Sequence, residues 1–565
     1  MSAIELSPAW TLIFGAALVP LLRGVARSAW IVLLPLAGMA QLALLPAGEF
    51  GALSFLGQEL LLVRVDRWST MFAWVFLIAA LLGAIYSLHV KSALEPAVGL
   101  AYAGAALGAV FAGDLLTLFV FWEATAVTSV FLIWARRRER AFRAGMRYLV
   151  IQLGSGMLLM FGALQIVAAG GSLRFEHIGL EAPGGLFIFV AFGIKCAFPL
   201  LHNWLQDAYP EATEGGTVWL SAFTTKLAVY ALARGFAGTE ALIWIGAAMT
   251  AFPIFYAVIE NDLRRVLAYS LNNQLGFMVV GIGIGTELAL NGTAAHAFTH
   301  IIYKALLFMS MGAVLYRVGT INGSELGGLY KSMPWTAAFC IVGAASISAF
   351  PLFSGFISKS MILAAAGLEG HVVTWVVLLF ASAGVFHHSG IKIPYFAFFA
   401  HDSGKRCREA PANMLVAMAL AAALCIGLGA FPAPLYAMLP YAVDYVPYTA
   451  DHVLAQLQLL LFSALAFSVL MRTGVYPPEL VSVNLDFDWT YRRLAPRFVR
   501  ALGELLGGAI ALIDRGMARA WPLLEGGVRA LYGPFGLFAR TWPSGATALG
   551  VMLMLLVFLG AYYFL

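Results

Sequence analysis

The strongest constraint on this chain is a close series of apolar runs, each about as long as a bilayer is thick. They lie at 8–24, 28–46, 69–89, 94–112, 114–135, 143–169, 185–206, 217–236, 239–259, 264–285, 288–317, 334–367, 371–400, 411–430, 453–471 and 544–565. A helical span needs about 20 such residues, so the runs predict an all-α polytopic membrane protein with about 14–16 transmembrane helices. Composition agrees: 61% of the 565 residues are hydrophobic and only 11% are charged, against roughly a quarter charged in soluble domains. A soluble enzyme, a disordered chain and a fibrous repeat are excluded.

The four cysteines, Cys196, Cys340, Cys407 and Cys425, show no CxxC and no metal-ligand spacing, so no metal, cluster or haem is expected. The net charge of +5 reads as positive-inside bias, not as nucleic-acid binding. Pro8–Leu22 reads as a retained span, since no basic region and cleavage site surround it. Basic residues gather at Arg23/Arg27, Arg136–Arg138 with Arg140 and Arg143, Arg264/Arg265, Arg317/Lys331 and Lys405/Arg406/Arg408. On the span order above, all these clusters fall on one side. That side is expected to be the cytoplasm, with both termini outside.

The region 476–540 differs. Arg492, Arg493, Arg497, Arg500, Arg515, Arg519, Arg529 and Arg540 alternate with apolar residues, and Leu502, Leu505, Leu506, Ala509, Ile510 and Ile513 recur at helical spacing. An amphipathic helix along the cytoplasmic face is expected, broken at Gly507–Gly508, Pro522 and Pro534, with 544–565 as an anchor. Ala197-Phe198-Pro199-Leu200 recurs as Ala349-Phe350-Pro351-Leu352, in spans running in opposite directions that also hold Lys195 and Lys359. Two readings stand: coincidence in an apolar chain, or the paired broken helices of inverted repeats.

An ionisable side chain at mid-bilayer costs about 2.5–3.5 kcal/mol or more. Glu123, Lys195, Lys226, Lys359 and the one-face series His296, His300, Lys304 all sit inside apolar runs. A single buried lysine is usually structural, pairing or reaching for headgroups. Several spans each carrying one suit a proton relay: burial favours a neutral lysine, a nearby carboxylate favours the charged one, and moving the carboxylate loads or unloads the proton. Glu123 with Lys195 is the natural pair. Asp114 reads as a boundary residue. Asp207, Glu211 and Glu214 read as a solvated loop ahead of an ion-access role. His387, His388 and Lys392 are accessory candidates, either interfacial or a side branch. Asn272, Asn273 and Gln274 either bond between helices or hold water.

Six motifs in one order carry a resemblance: Phe-Trp-Glu123; Lys195 ahead of Trp204-Leu-Gln-Asp-Ala208; Thr-Lys226-Leu-Ala-Val-Tyr; Asp262-Leu-Arg-Arg; His296…His300…Lys304; and Ser354-Gly-Phe-Ile-Ser-Lys359. Over about 95–400 the chain resembles the antiporter-like subunits of respiratory complex I and of Mrp-type multisubunit Na+/H+ antiporters, most of all the D-type Mrp subunits. The resemblance implies inverted five-helix repeats, with Glu123 and Lys195 as the input pair, Lys226 as central relay, His300 and Lys304 connecting, and Lys359 at the outlet; His296 joins the relay candidates from its place on the same helix face. Asp114, Asp207, His387 and Lys392 stand beside these as accessory candidates from the residue reading. Gln206 stands where the family usually has proline, and the break proline is early at Pro199. The amphipathic tail is like that of the distal complex I subunit and unlike the D-type Mrp chains.

The expected division is 1–93 N-terminal helices, 94–236 first repeat, 237–400 second repeat, 401–475 further helices, 476–543 lateral helix and 544–565 anchor. The expected function is proton translocation as one membrane subunit of a multisubunit cation/proton antiporter, with Na+ as the cation. The alternatives are the pumping arm of a redox complex, in which this chain is not the catalytic subunit, and a proton-coupled partner of inorganic carbon uptake. The charges could instead be helix glue. A transporter subunit in the cell's inner membrane, with other membrane subunits as partners and neither cofactor nor metal, is the overall expectation.

Overall fold

The structure is a computed structural model that describes residues 7–55, 57–481, 484–539 and 541–564. Arg540 and the last residue of the anchor run, Leu565, lie outside the described residues. The chain divides into two units, Met1–Asn484 and Leu485–Leu565.

In the first unit the helices follow the apolar runs. They are α1 Pro8–Leu18, α2 Gly24–Leu44, α3 Arg67–Tyr86, α4 Leu94–Phe111, α5 Leu115–Trp134, α6 Glu139–Ala168, α7 Gly185–Lys195, α8 Asn203–Ala208, α9 Glu214–Ala222 and α10 Thr224–Gly235. There follow α11 Ala241–Ile259, α12 Leu263–Ile284, α13 Glu287–Val318, α14 Pro334–Ile347, α15 Ser354–Leu368, α16 Val372–Val385, α17 Lys392–Pro394, α18 Ala412–Ala430, α19 Ala433–Met438 and α20 Ala450–Thr473. Among the described residues of both units, eleven helical stretches are long and apolar enough to cross a membrane. Three helix starts carry aspartate caps: Asp66 on Ser69 N–H for α3, Asp114 on Thr117 N–H for α5 and Asp262 on the N–H groups of Arg264 and Arg265 for α12. Such caps matter because lipid offers no alternative partner to a helix end.

Packing follows membrane rules, in which small residues let backbones approach. α11 and α12 meet where a side chain on Gly246 would lie 2.6 Å from the Val280 nitrogen. At the centre stands α13, buried through its whole apolar window and packed by α3, α9, α12, α14, α15 and α18.

Both proline echoes are breaks of the same shape. Ala197 and Leu200 have φ of 61° and 70°, and Ala349 and Leu352 have 56° and 72°. Four non-glycine residues in the left-handed region are held only where surrounding structure over-determines them. Polar side chains accept that role. Asn272 donates to Ala197 O (2.7 Å), Trp204 Nε1 to Ile194 O (2.9 Å) and Gln456 to Ser348 O (3.1 Å).

One element has no counterpart in the sequence reading. Strands β1 Gly48–Phe55 and β2 Gln58–Val65 form an antiparallel hairpin, pairing Gly48 with Val65 and Phe55 with Gln58. It buries Leu60, Leu61, Val63 and Val65, and is tied to the α4–α5 turn by Gly113 N–H to Leu61 O and Leu61 N–H to Asp114, both 3.0 Å. Its apolar positions are too few to stand out beside membrane spans.

In the second unit, α21 runs unbroken over Ala495–Tyr532, and α22 covers Ser544–Phe564. The expected breaks at Gly507–Gly508 and Pro522 do not occur; the helix ends at Gly533. An interior proline costs about 3 kcal/mol and a glycine about 1 kcal/mol, which a helix of 38 residues absorbs without ending.

Candidate functional site

The expected relay residues gather around α13 and the helix breaks. At one end, α5 carries Trp122 and Glu123. Lys195, the last residue of α7, is fully buried. Its Nζ donates to Trp122 O (2.5 Å) and Thr125 Oγ1 (2.8 Å) and lies 4.5 Å from the Trp122 ring centre. Trp122 is held by Ser155, which donates onward to Ala191 O. The Glu123 carboxylate feels the charge of Lys195, yet neither of its buried oxygens has a hydrogen-bond partner. Its niche exists because residue 156 is glycine; a Cβ there would fall 1.3 Å from Glu123 Oε1. The expected input pair is therefore adjacent and unlatched.

Lys226 lies just past the interruption between α9 and α10. That break leaves carbonyls free, and Lys226 Nζ donates to Ser221 O (2.6 Å), Tyr209 OH to Leu220 O (2.7 Å). His296 Nδ1 meets Ser358 Oγ at 3.1 Å, and Ser358 bonds Thr299 at 2.9 Å, joining α13 to α15. Both ring nitrogens of His300, the Nε2 of His296 and the Nζ of Lys304 are buried without a hydrogen-bond partner. The charge of Lys226 reaches all three residues. Lys359 Nζ donates to Ile347 O (3.1 Å), a carbonyl at the second break, and lies over the Phe277 ring.

The accessory candidates fall elsewhere. Asp114 is fully buried as the cap of α5, taking Thr117 N–H and Oγ1 at 2.7 Å each. Asp207 and Glu211 differ from the solvated-loop reading: both are buried, paired with Arg147 (2.7 Å) and Arg140 (2.6 Å). Both arginines come from the N-terminal part of α6, a contact invisible in local sequence. His388 Nδ1 bonds Ser389, which donates to Ser270 on α12. Lys392 Nζ donates to Ala257, Val258 and Glu260 carbonyls (3.2, 2.6 and 2.7 Å) and lies 3.0 Å from Glu479 Oε1. Asn273 and Gln274 bond within the helix cluster, to Thr250 O and Asn273 Oδ1.

Several buried ionisable groups escaped the sequence reading, among them Glu95, Arg264 and the Glu479 side chain. Glu95 sits in the first turn of α4, where Glu-Pro signals only a helix start. Arg264 is fully buried and donates to Tyr209, Ala212 and Thr213 carbonyls; in sequence it is one of a basic loop pair. Glu479 stands in the proline-bearing stretch Val475-Tyr-Pro-Pro-Glu-Leu-Val481, which has no periodicity.

Two like-shaped broken helices, with buried lysines and histidines strung between them, form the core of an all-helical protein with membrane-length helices. Residues 112–386 match the family described as NADH:quinone oxidoreductase/Mrp antiporter, TM. It is 29% identical over 418 residues to hydrogenase-4 component B of Escherichia coli (strain K12), covering 65% of this chain and 62% of that protein. It is 32% identical over 316 residues to the D-type subunit of the Na(+)/H(+) antiporter of Alkalihalophilus pseudofirmus, covering 52% of this chain and 64% of that one. The chain thus spans less than two thirds of the length of these curated relatives. In fold it is similar to a chain of the membrane-bound sulfane sulfur reductase, an archaeal respiratory membrane complex, with TM-score 0.72, 22% identity, and coverage of 98% and 99% of the two chains.

Proposed function

We propose that this chain translocates protons as one membrane subunit of a multisubunit cation/proton antiporter, with Na+ as the cation. The observation that carries the reading is the row itself. Lys195, Lys226, His296, His300 and Lys304 are fully buried and Lys359 is 1% exposed. Among the described residues, Glu123 is the one carboxylate whose charge reaches any of them. Four buried lysines kept as helix glue would cost about 10–14 kcal/mol on insertion scales, as much as the whole stability of a typical domain, about 5–15 kcal/mol. Groups that exchange protons bear that cost for a use.

In this reading Glu123 and Lys195 form the input pair. Swinging the unlatched carboxylate toward the lysine favours its ammonium form; swinging away favours release. Lys226 receives the proton at the centre, His296, His300 and Lys304 pass it along α13, and Lys359 gives it out. Asp114, Asp207, His387 and Lys392 are then accessory. Residues 94–236 and 237–400 act as inverted repeats. Support comes from the matched breaks and from two equivalent bridges, Asp114 to Arg174 and Asp262 to Asn322, each closing the same interval of chain. The chain sits in the cell's inner membrane with the basic loops cytoplasmic, both termini outside and α21 along the cytoplasmic face.

A second reading, the proton-pumping arm of a redox complex, is favoured by α21 and its anchor. A helix of 38 residues with no buried side chain in its own unit suits a brace along sister subunits. Proton uptake by inverted vesicles tests the translocation common to both: Lys195→Ala or Glu123→Ala abolishes it with the complex still assembled. Full uptake in both variants would refute the relay.

A further inference from the structure

The row is closed at the far side by a second Glu–Lys pair, built from a segment that follows the last helix of the first unit. Lys392 Nζ and Glu479 Oε1 are 3.0 Å apart, with side chains 0% and 7% exposed. Lys392 stands between two wide helical turns, 386–391 and 395–399, that interrupt α16 and its continuation. Such turns leave carbonyls out of the regular ladder and mark functional positions more often than chance. Its three carbonyl acceptors come from the end of α11. The segment carrying Glu479 is anchored on both sides. Tyr476 stacks on His387 with ring centres 5.5 Å apart, and Asn484 donates to Glu260 Oε2 at 3.1 Å.

Between this pair and α13 lies His388. It is fully buried, its Nε2 has no hydrogen-bond partner, and the charges of Lys304, Lys359 and Lys392 all reach it. Titratable groups therefore follow one another from α13, through His388, to a carboxylate at the loop face that bears Arg264 and Arg265. Carbonyl acceptors favour the charged form of a lysine but do not themselves change charge. One facing a carboxylate can have its counter-charge removed by a single protonation.

We propose that Glu479 is the residue that loads and unloads the row at this face, with Lys392 as its partner and His388 as the link inward. A proton from water adds to the Glu479 carboxylate. The Lys392 ammonium, its counter-charge gone, gives its own proton to His388 Nε2; Lys392 is then recharged by the Glu479 proton. Only N–H and O–H bonds are made and broken. The groups around the pair are Glu260 from the α11–α12 loop, His387 beside Lys392 and Tyr476 on the Glu479 segment; the α13–α14 loop presents Gly323. Burial raises the Glu479 carboxyl above its ordinary range, Lys392 opposes this and Glu260 adds to it.

The inference rests on the proton-translocation reading, so Lys195→Ala is measured beside it. In inverted vesicles carrying the full complex, Glu479→Gln is expected to slow proton uptake about tenfold or more. Glu479→Asp keeps uptake with a displaced pH profile, and the amount and thermal stability of the complex are unchanged in both. Wild-type uptake and profile in Glu479→Gln, with Lys195→Ala silent, overturns this inference alone. Wild-type uptake in Lys195→Ala overturns the relay and this inference with it. Equal loss of assembled complex in Glu479→Gln and Glu479→Asp reduces Glu479 to a strap and also overturns the proposal.

Discussion

Lys195 donates to the carbonyl of Trp122 and leaves the neighbouring carboxylate of Glu123 without a hydrogen-bond partner. A closed ion pair would hold its proton; this open one has somewhere to go. The lysine is instead steadied by Thr125, whose hydroxyl sits 2.8 Å from Nζ. A hydrogen bond to a charged group contributes about 1.5–3 kcal/mol, so Thr125→Val is expected to slow proton uptake about tenfold while Thr125→Ser stays near wild type. Initial rates of vesicle acidification decide it; equal rates in the two variants would remove Thr125 from the mechanism.

The niche for Glu123 gives a sharper steric test. Gly156→Ala puts a methyl group on the space of Glu123 Oε1, whereas Gly154 has nothing within 4 Å of its Cβ position. Displacing a reacting group by an ångström can cost about 100-fold. Gly156→Ala should therefore lose most uptake, with assembly retained, and Gly154→Ala should lose little. The prediction fails if both alanines transport alike.

Acid should loosen the junction of the hairpin, α3 and α10. Burial works against ionisation of Asp66, but Arg234, the Ser69 N–H and Arg64 outweigh it and hold its carboxyl below the ordinary range. A depressed carboxyl stabilises the fold above its unfolded pKa, about 3.9, and that contribution is lost as pH falls through the folded value. Thermal unfolding in detergent should show the midpoint dropping below about pH 4 in wild type. Asp66→Asn should be lower at neutral pH and flatter in acid; parallel curves would contradict this.

Removing the second unit tests its role without touching the Lys392–Glu479 pair. A chain ending at Asn484 is expected to keep the packed helices of the first unit yet release partner subunits. Native gels would show a smaller complex. An unchanged complex size would mean that α21 braces nothing.

Much of this was readable in advance, and the reasons differ by residue. Helix positions followed from the apolar runs because lipid admits few other solutions. The buried lysines stood out because each is costly where it lies. The four-letter echo could not be weighed alone; its significance came from four matching left-handed residues at Ala197, Leu200, Ala349 and Leu352. Asp207 and Glu211 were misread because their arginine partners lie far along the chain, Arg147 being 60 residues from Asp207. Glu479 carried no signal, since a polar residue after a span is ordinary until something buries it. The interruptions expected in α21 failed for a local reason: glycine and proline weaken a helix only where they stand, and a long one tolerates both.

Sequence by itself determined the solvent, the order of the helices and the seven residues placed at expensive depth, because each follows from the free energy of single groups in lipid. Tertiary structure decided which of them meet. That Lys195 faces Trp122, that His388 lies within reach of three lysines and that Glu479 is folded back onto Lys392 depend on helix packing between segments distant in the chain, which no local pattern records.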